Sequence, residues 1–323
     1  MGSLIVAVLG AQGYSDSLGK KNTATDITLY DLKRGEDVVT FVEPTRYPER
    51  LAPLFFATAM AKRAILIVDE LNSNFGECAM MLQCSNITAG YIILRNYLAR
   101  EKIEPLIKGT VLENYEFIED NITVLREKLL SEVDKQSPSV TAEKIESYGT
   151  VPVDHAFNVK GVGAVVLGVV VNGSVKKHEM MKVLPGNKMA QIRSIQKHDD
   201  DFDIAFQGDR VGLALKNVEV EDLDRGTVLT SDEKVKSSKL LKAQAVLVKY
   251  WPLPIKSEMV LHVGHWTQFV PGRVESISDD GDWRKPVITL TLEKELVHFP
   301  GAKGVLTYLD GGKLRVVGTV ELP

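Results

Sequence analysis

Cysteine is nearly missing from this 323-residue chain, which holds only Cys78 and Cys84. A disulfide framework is therefore not expected, and a chain of this length buries cores large enough to stand without one. The two thiols are six residues apart on a segment that reads as a helix, where they do not share a face well. Two reduced thiols are expected rather than a disulfide or metal pair. No apolar run reaches membrane-spanning length, so no membrane contact is expected. Met1-Gly2-Ser3 leads straight into a strand without a basic region or cleavage site, which argues against a signal peptide, and the sixth position lacks the Ser or Thr of a myristoylation signal. An excess of positive charge is missing as well: the formal balance is −4. Residues 1–148 hold 16 Lys and Arg against 21 Asp and Glu, giving −5, and residues 149–323 hold 23 against 22, giving +1. A DNA partner is not expected from that balance, and any RNA contact has to use local patches. No Ser-His-Asp or Cys-His pattern stands out for nucleophilic catalysis.

What is present falls into three textures. Residues 4–133 alternate strand-like runs (Leu4–Leu9, Asp26–Leu32, Asp37–Val42, Ala64–Asp69, Gly90–Leu94, Tyr115–Ile118) with helix-like ones (Tyr47–Lys62, Phe75–Ser85, Leu98–Lys108, Asn121–Val133). This predicts an α/β sheet built on parallel crossovers with one antiparallel pair, turning at Asp31–Glu36. The polar stretch 134–147, with its Ser-Pro-Ser core, reads as a linker. Short Val-rich strands then follow, separated by Gly, Asn and Asp turns, as in β-barrels or sandwiches. A second break is read at Ser231–Ser238, which is charged and lacks a hydrophobic period. The expected fold class is multi-domain α/β + β, with domains at 1–137, 148–231 and 238–323.

The middle texture carries the most specific signal. VPVDHAFNVKGVGAVVLGVVVNGSVKK (Val151–Lys177) is followed by GDRVGLAL (Gly208–Leu215) and VEDLDRGTVL (Val220–Leu229). In order and spacing these resemble domain 2 of translational GTPases of the elongation factor Tu type. That family shows Pro-x-Asp/Glu-x-x-Phe, Gly-x-Gly-x-Val-x-x-Gly, a Gly-Asp-x-Val-Gly turn and a closing Glu-Asp-x-x-Arg-Gly-x-Val-Leu. Gly161, Gly163 and Gly168 suit close strand crossing and bulges, and Gly173 suits an Asn-Gly turn. His178 departs from the family, which usually has a turn glycine there. LHVGHWTQFVPGRV (Leu261–Val274) and YLDGGKLRVVGTV (Tyr308–Val320) are similar to domain 3 of the selenocysteine-specific factor. With the first segment read as GTPase-like, the resemblance covers nearly the whole chain. It points to SelB-like factors, and among them to archaeal proteins with a degenerate nucleotide domain. It implies a GTPase-like α/β domain followed by two β-barrels.

The same resemblance sets a test for nucleotide chemistry. A phosphate loop needs Gly-x-x-x-x-Gly-Lys-Ser/Thr: glycines for close approach, Lys for charge, a hydroxyl for magnesium. In the stretch Gly10–Ser17, which also contains Gly13, the second glycine becomes Ser15, the Lys becomes Asp16 and the hydroxyl position is Ser17. Counting back from Gly19-Lys20 puts Tyr14 at the first glycine and Lys21 at the metal ligand, which also fails. Gly19-Lys20 reads instead as a short turn before the second strand. In the place of Asp-x-x-Gly stands Glu43-Pro44-Thr45-Arg46, then Tyr47 where the family puts its catalytic His. In Asn-Lys-x-Asp only Asn96 survives, with Tyr97 and Ala99 replacing Lys and Asp. The fourth motif has no counterpart near Phe117–Asp120. GTP and magnesium are not expected as cofactors, and no catalytic residue and no enzymatic activity are expected.

Other candidates follow. Asp154, His155 and Phe157 match family positions lining the pocket for the aminoacyl end of tRNA, and Arg193 and His198 lie in a stretch lining that pocket. A plainer alternative stands beside this: Asp154 capping a turn, Phe157 in the core, His155 on the surface. Lys234, Lys236, Lys239 and Lys242 form the densest basic stretch, suited to phosphate contacts or to a solvated linker. His262 and His265 are spaced HxxH, which on a strand points them to opposite faces, so no metal site is expected. Asp199, Asp200, Asp201 and Asp203 read as a solvated acidic loop. The overall expectation is a cytoplasmic SelB-like elongation-factor homologue without GTPase activity, its partner a tRNA acceptor end, the ribosome or a translation factor. A divergent nucleotide-dependent switch and a protein-binding adaptor are the alternatives.

Overall fold

A computed structural model describes residues 2–136, 148–198 and 200–323. The first sheet has seven strands: β1 (Ser3–Leu9), β2 (Lys20–Ala24), β3 (Thr28–Arg34), β4 (Asp37–Glu43), β5 (Arg63–Val68), β6 (Gly90–Leu94) and β7 (Glu116–Ile118). Their order is β2-β3-β4-β1-β5-β6-β7. The unbroken apolar run of β1 marks a central strand buried on both faces. Leu4, Val6 and Val8 face a cluster that includes Leu125, Leu129 and Val133, so the alternate residues Ile5 and Ala7 face the other side. Four helices complete the layer: α1 (Ala52–Met60), α2 (Ser73–Cys84), α3 (Arg100–Ile107) and α4 (Ile122–Gln136).

Five expectations change here. A strand, β2, occupies the place read as a turn at Lys20. It is a polar, exposed edge strand with no apolar period to reveal it. There are therefore two antiparallel pairings, β2–β3 and β3–β4, rather than one. The β3–β4 turn falls at Gly35-Glu36, because β3 runs on to Arg34. The helix expected from Tyr47 begins only at Ala52: Pro53 would fall in the interior of a helix begun at Tyr47, whereas it fits the first turn of one begun at Ala52. The segment 134–147 is not all linker, since α4 continues to Gln136. The remainder of that stretch lies outside the described residues.

The second domain comprises β8 (Thr150–Val159), β9 (Gly163–Val169), β10 (Ser174–Lys176), β11 (Met180–Leu184), β12 (Lys188–Lys197), β13 (Asp200–Phe202), β14 (Ile204–Phe206), β15 (Arg210–Lys216) and β16 (Val228–Thr230). The sheet β11-β16-β8-β9-β15-β12-β13 closes through β11–β12 into a six-strand barrel. Val153, Val166, Ile195 and Leu213 fill it. Gly168 is a close approach, since a Cβ there would stand 2.4 Å from the Pro152 carbonyl oxygen. Gly161 and Gly163 instead face open space at φ +82° and +97°, so they serve the β8–β9 turn rather than a crossing. His178 keeps the turn conformation at φ +70° without a glycine. The third domain is a closed barrel, β17-β20-β19-β18-β21-β22, of β17 (Lys236–Leu247), β18 (Val260–His265), β19 (Gln268–Ser278), β20 (Val287–His298), β21 (Lys303–Thr307) and β22 (Val316–Glu321). The chain is thus an α/β domain followed by two six-strand barrels. By contacts it forms two compact units: the first sheet and helices with residues 246–254 and 305–319, and the barrel of the second domain with residues 231–245, 255–304 and 320–323.

Candidate functional site

The loop after β1 is shaped by its first glycine. Gly10 has φ +95°, and a Cβ on it would stand 1.9 Å from the Ile67 carbonyl oxygen, so only glycine lets the chain pass β5. From Gly13 (φ +77°) the chain enters a single 3₁₀ turn, Tyr14–Ser17, and reaches β2 at Lys20. Two loop N–H groups meet the same carboxylate. Gly13 N donates to Oε1 of Glu43, and Ser15 N donates to Oε2 at 3.1 Å. Glu43 ends β4, the parallel neighbour of β1 (Ala7 is level with Val42), and is 5% exposed. Successive loop N–H groups make a concavity that suits an anion. Here the anion is the chain's own carboxylate.

Asp16, the acid that stands in the lysine position, is exposed, and the Ser17 hydroxyl donates to Tyr14 O at 2.7 Å. The acid that meets the loop is therefore Glu43. Its signal in the sequence is an acid closing a strand, DVVTFVE, whose interior is apolar apart from Thr40. Beyond β6 the polar groups also pair among themselves. Tyr14 donates its hydroxyl to Asp120 at 2.8 Å, Arg95 donates to the other Asp120 oxygen at 2.7 Å, and the Arg95 guanidinium lies 5.1 Å from the Tyr14 ring centre. Burial, with Asp120 adding to it, pushes the Tyr14 phenol above its ordinary range. Asn96 donates its side-chain amide to Asp69 O, while Tyr97 is fully exposed.

In the barrel of the second domain the candidate residues separate. Strand register puts Phe157, Val165, Ala214 and Ser194 in one row, and His155, Leu167, Gly212 and Gln196 in the next, on the face opposite the core. Phe157 is 41% exposed and so is not a core residue. Arg193 stands at a register shift in β12 and donates to Val162 O, in the β8–β9 turn, at 3.1 Å. The largely buried His155 ring thus lies one row away along β8, while Arg193 reaches the β8–β9 end of the outer face on which Phe157 stands. His198 lies in the β12–β13 turn, five residues on, about 17 Å away along an extended strand, and does not join them.

Asp154 is neither a turn cap nor an open ligand site. It sits at the β8 bulge, 1% exposed, where Arg210 forks onto both its oxygens and His155 Nδ1 lies 2.5 Å away. Burial pushes its carboxyl up, but Arg210 and His155 outweigh that and hold it well below the usual carboxylate range. Asp154 therefore fixes the bulge and the His155 ring beside it.

Lys234, Lys236, Lys239 and Lys242 are all exposed, the last three on β17, with Lys239 at a bulge between Ser238 and Leu240. His262 stacks on Phe269 at 4.9 Å, whereas buried His265 donates Nδ1–H to Lys303 O at 3.1 Å. Asp200 and Asp201 are in a short strand, β13, rather than a loop, because they pair with Lys197 and Gln196. Asp203 lies in the following turn, 3.9 Å from Lys177, and Asp199 lies outside the described residues. Among the described residues no three or more His, Cys, Asp or Glu gather as a metal site, and no helix is long and apolar enough to cross a membrane.

Comparison with known proteins fits this geometry. The family model of elongation factor Tu domain 2 matches residues 163–230. An uncharacterized protein of Methanocaldococcus jannaschii is 34% identical over 325 residues, covering all of both chains. The selenocysteine-specific elongation factor of that organism is 29% identical over 322 residues, covering 88% of this chain and 67% of its own. Among solved structures, SelB of Methanococcus maripaludis in complex with the GTP analogue GPPNHP is similar in fold, with TM-score 0.81 at 22% identity, covering all of this chain and 79% of that one. The chain belongs to the translational GTPase superfamily. Within it, the chain is SelB-like.

Proposed function

We propose that this chain is a SelB-like translation factor that binds a tRNA acceptor end on its second-domain barrel and works without a GTP cycle in its first domain. The observation that carries the reading is the hydrogen bonding of the Gly13 and Ser15 N–H groups to Glu43. A nucleotide phosphate would have to displace a carboxylate from the donors that would receive it, and no lysine in register offsets its charge. GTP and magnesium are not cofactors in this reading, and the chain is not an enzyme. On the second-domain barrel, Phe157 offers exposed ring surface and Arg193 a cation, a combination that suits an unpaired RNA end through stacking and charge, while His155, its side chain 11% exposed, is held against Asp154 behind them. Lys234, Lys236, Lys239 and Lys242 offer phosphate contacts that position the ligand. A cytoplasmic place beside the ribosome follows from this role.

The test is a gel shift with aminoacylated and deacylated tRNA, with and without GTP. The expected result is a shift that GTP leaves unchanged and that the double variant Phe157→Ala, Arg193→Ala weakens by about tenfold, a loss within the range for stacking. No shift with either tRNA would remove the RNA half of the proposal. A shift that requires GTP would remove the other half.

A further inference from the structure

Glu43 begins a short segment whose contacts reach far from the loop. The chain continues Pro44-Thr45-Arg46-Tyr47-Pro48. Loop residue Gln12 donates its side-chain amide to Tyr47 O at 2.7 Å, so the loop grips this segment a second time, beyond Glu43 itself. Tyr47 is buried and its hydroxyl donates to Asn74 O, at the start of α2, at 3.3 Å. Arg315, in the same compact unit, covers the end of the segment. It donates Nη2–H to Pro48 O at 3.0 Å, and its guanidinium lies 5.9 Å from the Tyr47 ring centre. It also forks onto Glu77 of α2, Nε to Oε1 at 3.0 Å and Nη2 to Oε2 at 2.6 Å, while its own backbone N–H donates to Oε1 at 2.9 Å. Glu77 is 3% exposed.

Two carboxylates therefore hold the two ends of one strap: Glu43 at the loop, and Glu77, through Arg315, at Pro48. Hydrogen bonds to an ionised carboxylate are the strong ones, and a forked Arg–carboxylate pair also fixes geometry. We propose that Glu43 acts as a built-in phosphate substitute, holding segment 43–48 where Arg315 can close on it, so that the first domain and residues 305–319 stay in one permanent state. This rests on the nucleotide-independent reading above and adds to it the device that replaces nucleotide control.

The test is amide hydrogen exchange on the full chain, in wild type, Glu43→Ala and Arg315→Lys. In Glu43→Ala, exchange is expected to rise by about tenfold or more, as loss of bonds to a charged group implies, at 12–18 and 44–50 and also at 73–77 and 313–316. Inorganic phosphate, against chloride at equal ionic strength, is expected to reverse part of the rise. A rise confined to 12–18, or none, overturns the coupling. Arg315→Lys keeps the charge but cannot fork. It is expected to loosen 44–50, 73–77 and 313–316 and to spare 12–18. It tests the strap even if Glu43→Ala fails to fold, because an unchanged 44–50 in Arg315→Lys overturns it. GTP added to wild type separates the two proposals: slowed exchange at 12–18 contradicts the nucleotide-independent reading, whereas the variants alone decide the strap.

Discussion

Replacing Asp154 with alanine is expected to destabilise the protein by about 3–5 kcal/mol, the cost of removing one partner from a buried ion pair. The figure is set by what remains. Arg210 is 8% exposed and the two nitrogens that bond Asp154 lose that acceptor, so a buried guanidinium loses the forked carboxylate beside it. The pH dependence has a definite sign. The folded carboxyl is held well below its ordinary value by Arg210 and His155 against the opposing effect of burial. Its contribution is therefore present in full above the unfolded value of about 3.9 and is lost as pH falls toward the folded one. Urea unfolding followed by circular dichroism, at pH 7 and stepwise toward acid, measures both effects. Phe157→Ala is the control, expected to change stability by less than about 0.5 kcal/mol because that side chain is substantially exposed. If Asp154→Ala lies within about 1 kcal/mol of wild type, the pair is not structural and the reasoning from burial fails.

Gly10→Ala is expected to prevent folding of the first domain, since its Cβ would stand 1.9 Å from Ile67 O at a φ of +95°; a soluble variant with native circular dichroism would refute this. His265 is buried, and burial, with His298 adding to it and the Lys303 bond opposing it, pulls the imidazole down to about 4. An unfolded His titrates near 6.5, so stability is expected to be lost as pH falls from about 6.5 to about 4, by up to about 3 kcal/mol. His265→Phe should flatten that slope, as read by thermal unfolding across the window. Cys78 and Cys84 are buried, and burial pushes both thiols up to about 12. Iodoacetamide is therefore expected to label them only after unfolding, and rapid labelling of the native protein would contradict the packing of α2.

Apolar runs made most of the first sheet readable, because β1, β4, β5 and β6 are buried strands with Thr40 of β4 the one polar residue inside them. The edge strand β2 was not readable: KKNTA is held by hydrogen bonds to β3 rather than by burial, and leaves no pattern. In the barrel of the second domain the spaced glycine motifs carried the topology, and Arg193 does reach the end of its outer face on which Phe157 stands. His198 did not belong with them, because distance along β12 depends on where that strand ends. Asp154 looked like a ligand residue because its motif position was visible and its partner, 56 residues away, was not. The same holds for Glu43. A motif count finds a missing lysine, but only the parallel pairing of β1 with β4 shows which acid lies beneath the loop.

The central claim is that this SelB-like chain has filled its own phosphate site. Isothermal titration of wild-type protein with GTP and magnesium tests it most directly. The account predicts no saturable heat, at concentrations where a micromolar ligand would saturate. A saturable isotherm with micromolar affinity would mean that nucleotide displaces Glu43, and would contradict the account.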